Sequence, residues 1–216
     1  GGSGFQPIYD FQGTLDGRGY TISNLYINRP SEDMVALFNS NYVGSFYNLV
    51  LSNVDITGGE TGAASLVGSF AGNGSIKNVQ ASGDVAGGFY VGGLVGTSFS
   101  DATATISRSS FSGTIVSTFG GGGLVGRARG NLDIVDSFAS TTHVGVQGVG
   151  GLIGFGGDGS GIMTIVRSYA NGNVSGTSGG GWAYSGGLVG FLDNKNMTIS
   201  NSFATVAVSG TSVNGA

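Results

Sequence analysis

The pentapeptide Gly92-Gly93-Leu94-Val95-Gly96 returns as Gly122–Gly126, as Gly150-Gly151-Leu152-Ile153-Gly154 and as Gly186–Gly190. Degenerate copies stand at Ala64–Gly68 and Val35–Asn39. Their leucines, at 37, 66, 94, 124, 152 and 188, are 29, 28, 30, 28 and 36 residues apart. A period of this length constrains the fold more than any other feature, because one repeat cannot bury its own apolar face and must stack on the next.

A second motif follows each copy. Its anchors are Ile22, Phe46, Ile76, Ile106, Ile134, Ile165 and Ile199, spaced 24, 30, 30, 28, 31 and 34 residues apart. Each unit holds three short apolar patches separated by Gly, Ser, Asn and Asp, and the third patch alternates: Val79, Ala81 and Val85 against Gln80, Ser82 and Asp84. With 45 glycines in 216 residues, a helix would be opposed by about 1 kcal/mol at each one. Three strands per turn and 28–30 residues per turn predict an all-β chain, a parallel β-helix of about seven turns. The anchors are expected to form one inward ladder, each burial worth about 1.5–3 kcal/mol before entropy. Two residues on stand Asn24, Asn48, Asn78, Arg108, Asp136, Arg167 and Asn201. Asn and Asp tolerate a left-handed bend, so this column is expected to form a corner, with the paired glycines forming another.

These units, Gly-Gly-Leu-Val-Gly followed by Ile-x-Asn-Ser-Tyr/Phe-Ala-x-Gly, resemble the GLUG repeat family, and Phe11–Leu25 is similar to the turn that often precedes such repeats. The resemblance implies a right-handed parallel β-helix and a secreted or surface-anchored, often adhesin-like, microbial context. Such repeats also occur beside an immunoglobulin-cleaving metallopeptidase, but that chemistry is not implied here: His143 is the one histidine and there is no His-Glu-x-x-His. Ser137, Ser168 and Ser202 stand where a cysteine often stands in the family. The whole chain, 1–216, reads as a single domain: a lead-in or first turn over 1–20, repeats over 21–210, and the start of a further turn at 211–216. Bare solenoid ends are unpaired strand edges, so the chain is expected to be a slice of a longer protein or to stack on other copies of itself.

Composition narrows the function. A net charge of -4 with only 9% charged residues argues against nucleic acid, and no apolar run approaches the ~18 residues of a membrane span. With no cysteine there is neither a disulfide framework nor a Cys-built metal site. Most carboxylates fall one per turn, so the paired acids of β-helical polysaccharide enzymes are not expected and no catalytic residue is assigned.

Other candidates remain. Gly156–Gly161 resembles one unit of a calcium-binding Gly-Gly-x-Gly-x-Asp repeat in altered order, and Asp158 with Asp193 one turn later are candidate Ca²⁺ ligands; the plainer reading is a solvated glycine loop. Tyr90, Phe119, Trp182 and Tyr184 lie in loops before successive Leu-Val strands and are candidate glycan-binding rings. Tyr26, Phe138, Tyr169 and Phe203 are expected to share a column, read first as pointing inward or covering the sheet edge and alternatively as an exposed stripe suited to sugar rings or a lateral partner. Residues flanking the anchors, such as Thr105 and Ser107, make an outward hydroxyl array of the kind that binds ice, although Tyr47, Lys77 and Asp133 interrupt it. The reading these observations favour is a non-catalytic extracellular structural or adhesive solenoid, stalk segment or filament subunit. A carbohydrate-binding module acting on cell-surface glycans is the alternative, ahead of an ice-binding face or an enzyme.

Overall fold

The computed structural model describes residues 2–41, 44–157, 161–177, 184–193 and 196–210, without the side chains of 41 and 100–102. Three strand faces wind around one apolar interior, and every turn-to-turn strand pairing is parallel. The anchor face carries Ser45, Ser75, Thr105, Asp133, Thr164 and Thr198 outward and the anchors inward. The second face begins past a corner, in strands such as Ser110–Phe119, Phe138–Gln147 and Tyr169–Gly176. The third holds the Leu-Val strands, among them Val67–Ala71 and Ile153–Gly156.

The anchor column is in register from rung to rung: Leu15, Phe46, Ile76, Ile106, Ile134, Ile165 and Ile199. These seven rungs make six turn-to-turn steps, about 29 Å at ~4.8 Å each. Phe46, Ile76, Ile106, Ile134 and Ile165 are completely buried, and Ile199, on the last rung, is 46% exposed. Leu15, not Ile22, is the first rung. Ile22 pairs with Leu51 instead, one column over, and is 37% exposed. The reason lies in the Ser45–Thr57 strand, which bends at two left-handed residues, Asn48 and Asn53, so the first turn meets it at three separate places, through Thr14–Asp16, Thr21–Ser23 and Tyr26–Asn28.

The corner column takes the left-handed conformation throughout: Asn48, Asn78, Arg108, Asp136, Arg167 and Asn201 have φ of 52°, 57°, 48°, 50°, 47° and 51°. Side chains bond along it. Asn78 Nδ2 donates to Asn48 Oδ1 at 2.8 Å, and Asn48 Nδ2 donates to Asp16 Oδ1 at 2.9 Å. Asn24 shares the conformation but not the column; Asn53 Nδ2 donates to its Oδ1 at 2.7 Å at the extra bend. At the opposite corner the paired glycines are required by close approach. A Cβ on Gly92, Gly122 or Gly150 would overlap the carbonyl oxygen three residues ahead, and one on Gly93 or Gly123 the carbonyl of the next turn's glycine.

Directly after the left-handed corner, Ser109, Ser137, Ser168 and Ser202 form a serine ladder along the interior edge. Each Oγ donates to the carbonyl two residues back, at 2.8–2.9 Å. Each also accepts the backbone N–H of the matching residue one turn earlier: Val79 to Ser109, Ser109 to Ser137, Ser137 to Ser168 and Ser168 to Ser202, at 3.1–3.2 Å. Buried backbone groups that the bend removes from the strand ladder thereby keep partners.

Candidate functional site

Three of the four candidate glycan-binding rings converge. On the edge between the second and third faces, Tyr90 and Phe119 pack at 5.7 Å between ring centroids, and Tyr184 stands 4.3 Å from Phe191. Phe155 joins the groups, 5.3 Å from Phe119 and 5.1 Å from Phe191. The Arg127 guanidinium lies 4.5 Å over the Tyr90 ring, a cation–π contact. The fourth candidate, Trp182, lies outside the described residues. Loop rings pack here on outward residues of the Leu-Val strands, where Arg127, Phe155 and Phe191 occupy successive rungs. Those three were not singled out as candidates, and their signal was present: the rung position two residues past each Leu-Val valine reads Thr97, Arg127, Phe155 and Phe191.

The rings spend their faces on one another. Phe155 is only 7% exposed, whereas Phe89, 6.1 Å from Phe119, is 43% exposed. The edge is therefore a packed aromatic seam that closes the corner, with Phe89 as its open end.

A different ring column faces solvent. Phe138, Tyr169 and Phe203 occupy one register position of the second face, and their planes are nearly parallel: 1° between the first two at 4.9 Å, and 6° between the next two at 5.3 Å. Phe203 is 57% exposed. The column points outward, not inward, because the serine before each ring takes the interior position. Tyr26 belongs elsewhere, in register with Asp55. Below Phe138 the same position holds Ser110, Gln80 and Val50, and there a groove of about 250 Å³ opens.

His143 sits in an inward column between Ile115 and Val174. Its Nε2 lies 3.2 Å from Ser117 Oγ, and burial holds the imidazole well below the usual histidine range, at about 3. A neutral imidazole sealed in an apolar column has no access to a substrate. Among the described residues no group of three His, Cys, Asp or Glu side chains is placed to hold a metal ion. Asp158 lies outside the described residues; Asp193 is beside Gly157, its N–H donating to Gly156 O at 2.7 Å. At the corner, the Arg167 guanidinium bonded to Asp136, at 2.5 and 2.9 Å, lowers that carboxyl's pKa, as does the Asn48 amide for Asp16.

Residues 87–116 match the family model described as the GLUG motif. The chain is a GLUG-repeat protein. Its GLUG turns are 39% identical over 212 residues to halomucin of Haloquadratum walsbyi, covering 94% of this chain and 2% of that protein. They are 32% identical over 178 residues to an immunoglobulin A1 protease of Streptococcus sanguinis, covering 76% of this chain and 9% of the protease. The chain thus spans a small fraction of the length of both relatives. In fold, it superposes on a solved structure described as an immunoglobulin A1 protease, from Bacteroides ovatus, with a TM-score of 0.67 at 20% identity, over 89% of this chain and 68% of that one. The two chains therefore share a fold despite divergent sequence.

Proposed function

We propose that this GLUG solenoid is a non-catalytic extracellular module that spaces or displays other parts of a surface protein and adheres through its sides. The observation that carries the reading is the unbroken parallel register through all seven anchor rungs, sealed by glycine and left-handed corners. Such a body resists extension and proteolysis, since every strand but the terminal ones is bonded on both sides. Low charge and the absence of cysteine suit an exposed, oxidant-indifferent surface. The relatives add support: both are far longer than this chain, so the matched turns are one part of each. A catalytic reading finds less support, because the single histidine is sealed in the core.

Single-molecule pulling tests the reading. A stalk should lengthen in successive steps of about 100 Å, the contour of one ~30-residue turn. Extension without discrete steps would overturn it. Electron microscopy over a concentration series separates single short rods from fibres of stacked copies.

A further inference from the structure

We infer that the groove below Phe138 is a binding slot for one pyranose ring of a neutral glycan. The ring column sets up the slot. Tyr169 covers one face of Phe138 in a nearly parallel stack at 4.9 Å. The next position down the same column is Ser110, whose side chain leaves the stacking place empty. That place is the groove of about 250 Å³, the size of a single sugar ring, and Phe138 is its wall. A flat ligand entering it would be the next member of an existing stack, one rung from Phe138.

The remaining lining specifies the chemistry. Gln80, Ser82, Ser110 and Ser112 border the groove, together with the apolar Val50, Leu51 and Ala81. Amide and hydroxyl groups around one aromatic face match a sugar, whose C–H face packs on the ring while its hydroxyls exchange hydrogen bonds at the rim. No charged side chain lines the groove, so a neutral sugar is favoured over a sialic or uronic acid. The site is distinct from the aromatic seam at Tyr90 and Phe119, and the stalk reading does not depend on it: an empty slot would leave the solenoid's mechanics unchanged.

The experiment is saturation-transfer NMR with cellohexaose, laminarihexaose and mannohexaose at millimolar concentration, with tyrosinamide as comparator. At least one hexaose should show transfer to its ring protons. S110F puts the chain's own ring in the slot, a substitution the column already accepts at 138, 169 and 203. It should weaken binding about tenfold or more, the loss of one stacking face. Circular dichroism and thermal unfolding check its fold. The double variant Gln80→Ala, Ser112→Ala, both exposed positions, keeps the test open if S110F misfolds, and should weaken binding at least about threefold by loss of rim hydrogen bonds. The inference is overturned by any of four results: no transfer from any hexaose, binding that survives both variants, binding lost on Tyr90→Ala instead, or a slot that takes only tyrosinamide.

Discussion

His143 makes the solenoid's stability depend on pH in a way that can be calculated. The imidazole is wholly buried and held neutral, its pKa lowered by desolvation to about 3. In the unfolded chain it returns to about 6.5. Between these values the unfolded state binds a proton that the folded state refuses. Stability is therefore fully present above pH 6.5 and is lost as pH falls toward 3, at about 1.4 kcal/mol per pH unit. At pH 4.5 the loss from this one residue is about 2.7 kcal/mol, a large part of a typical domain's margin. The column supplies its own control: Ile115 lies directly below in register, so His143→Ile replaces the ring with a side chain already used there. Losing the Ser117 hydrogen bond costs about 1 kcal/mol, but at every pH, and so leaves the slope unchanged. Asp16 and Asp136, whose lowered pKa values also drain stability in acid, titrate alike in both proteins and cancel in the difference. The assay is urea unfolding of both proteins from pH 7.5 to 4. The two stability curves should converge or cross as pH falls, by about 2.7 kcal/mol at pH 4.5. Parallel curves would refute the burial argument.

Three further outcomes test the architecture. Ile106→Asp puts a charge in the fully buried anchor column and should cost more than about 4 kcal/mol, whereas Thr105→Asp, facing out, should cost under about 1 kcal/mol, partly from repulsion by Asp133 in the next rung; equal losses in denaturant titration would overturn the register. Ser137→Ala strands the Ser109 N–H and the Val135 carbonyl and should cost about 2–4 kcal/mol, while Ser137→Cys, which keeps a weak donor and acceptor, should cost less than half as much in the same titration. Gly123→Ala drives a Cβ into the Gly151 carbonyl and should abolish soluble expression or lower the melting temperature by more than about 10 °C, but Gly187→Ala, which among the described residues meets only the Ala204 Cβ at 2.8 Å, should be tolerated with a smaller loss.

Much of this fold could be read from the sequence because the same side chains recur where the same physical demand recurs. Ile at five of the seven anchors, Asn or Asp at four of the six corner positions from Asn48 to Asn201 and the paired glycines all report backbone geometry that successive turns repeat. The misreadings arise where geometry is not local. Thr14-Leu15-Asp16 and Thr21-Ile22-Ser23 look equally like an anchor strand, and only the second bend, at Asn53 in the neighbouring turn, decides which one lies over Phe46. Likewise, nothing within Ser168-Tyr169-Ala170 says which side chain turns inward; the serine does, because its Oγ closes a hydrogen-bond chain with the turns on either side. The seam was half visible, since loop aromatics stand out among glycines, while Phe155, Phe191 and Arg127 look like ordinary strand residues until the rungs are stacked.

A chain of near-identical turns faces a problem of identity: slipping by one whole turn costs little where five successive rungs, from Ile76 to Ile199, present the same isoleucine, and misassembly of like units is the characteristic failure of repeat proteins. The left-handed corner reduces that degeneracy. Asp136 is bonded to Arg167 above it and attracted by Arg108 below it, whereas the earlier corners pair Asn78 with Asn48 and Asn48 with Asp16. A strand that skipped the Asp136 turn would set Arg108 against Arg167 and lose the ion pair. The corner thus works as an address along the rod, distinguishing turns that the buried column cannot tell apart and favouring one register among several that are otherwise nearly equal in energy.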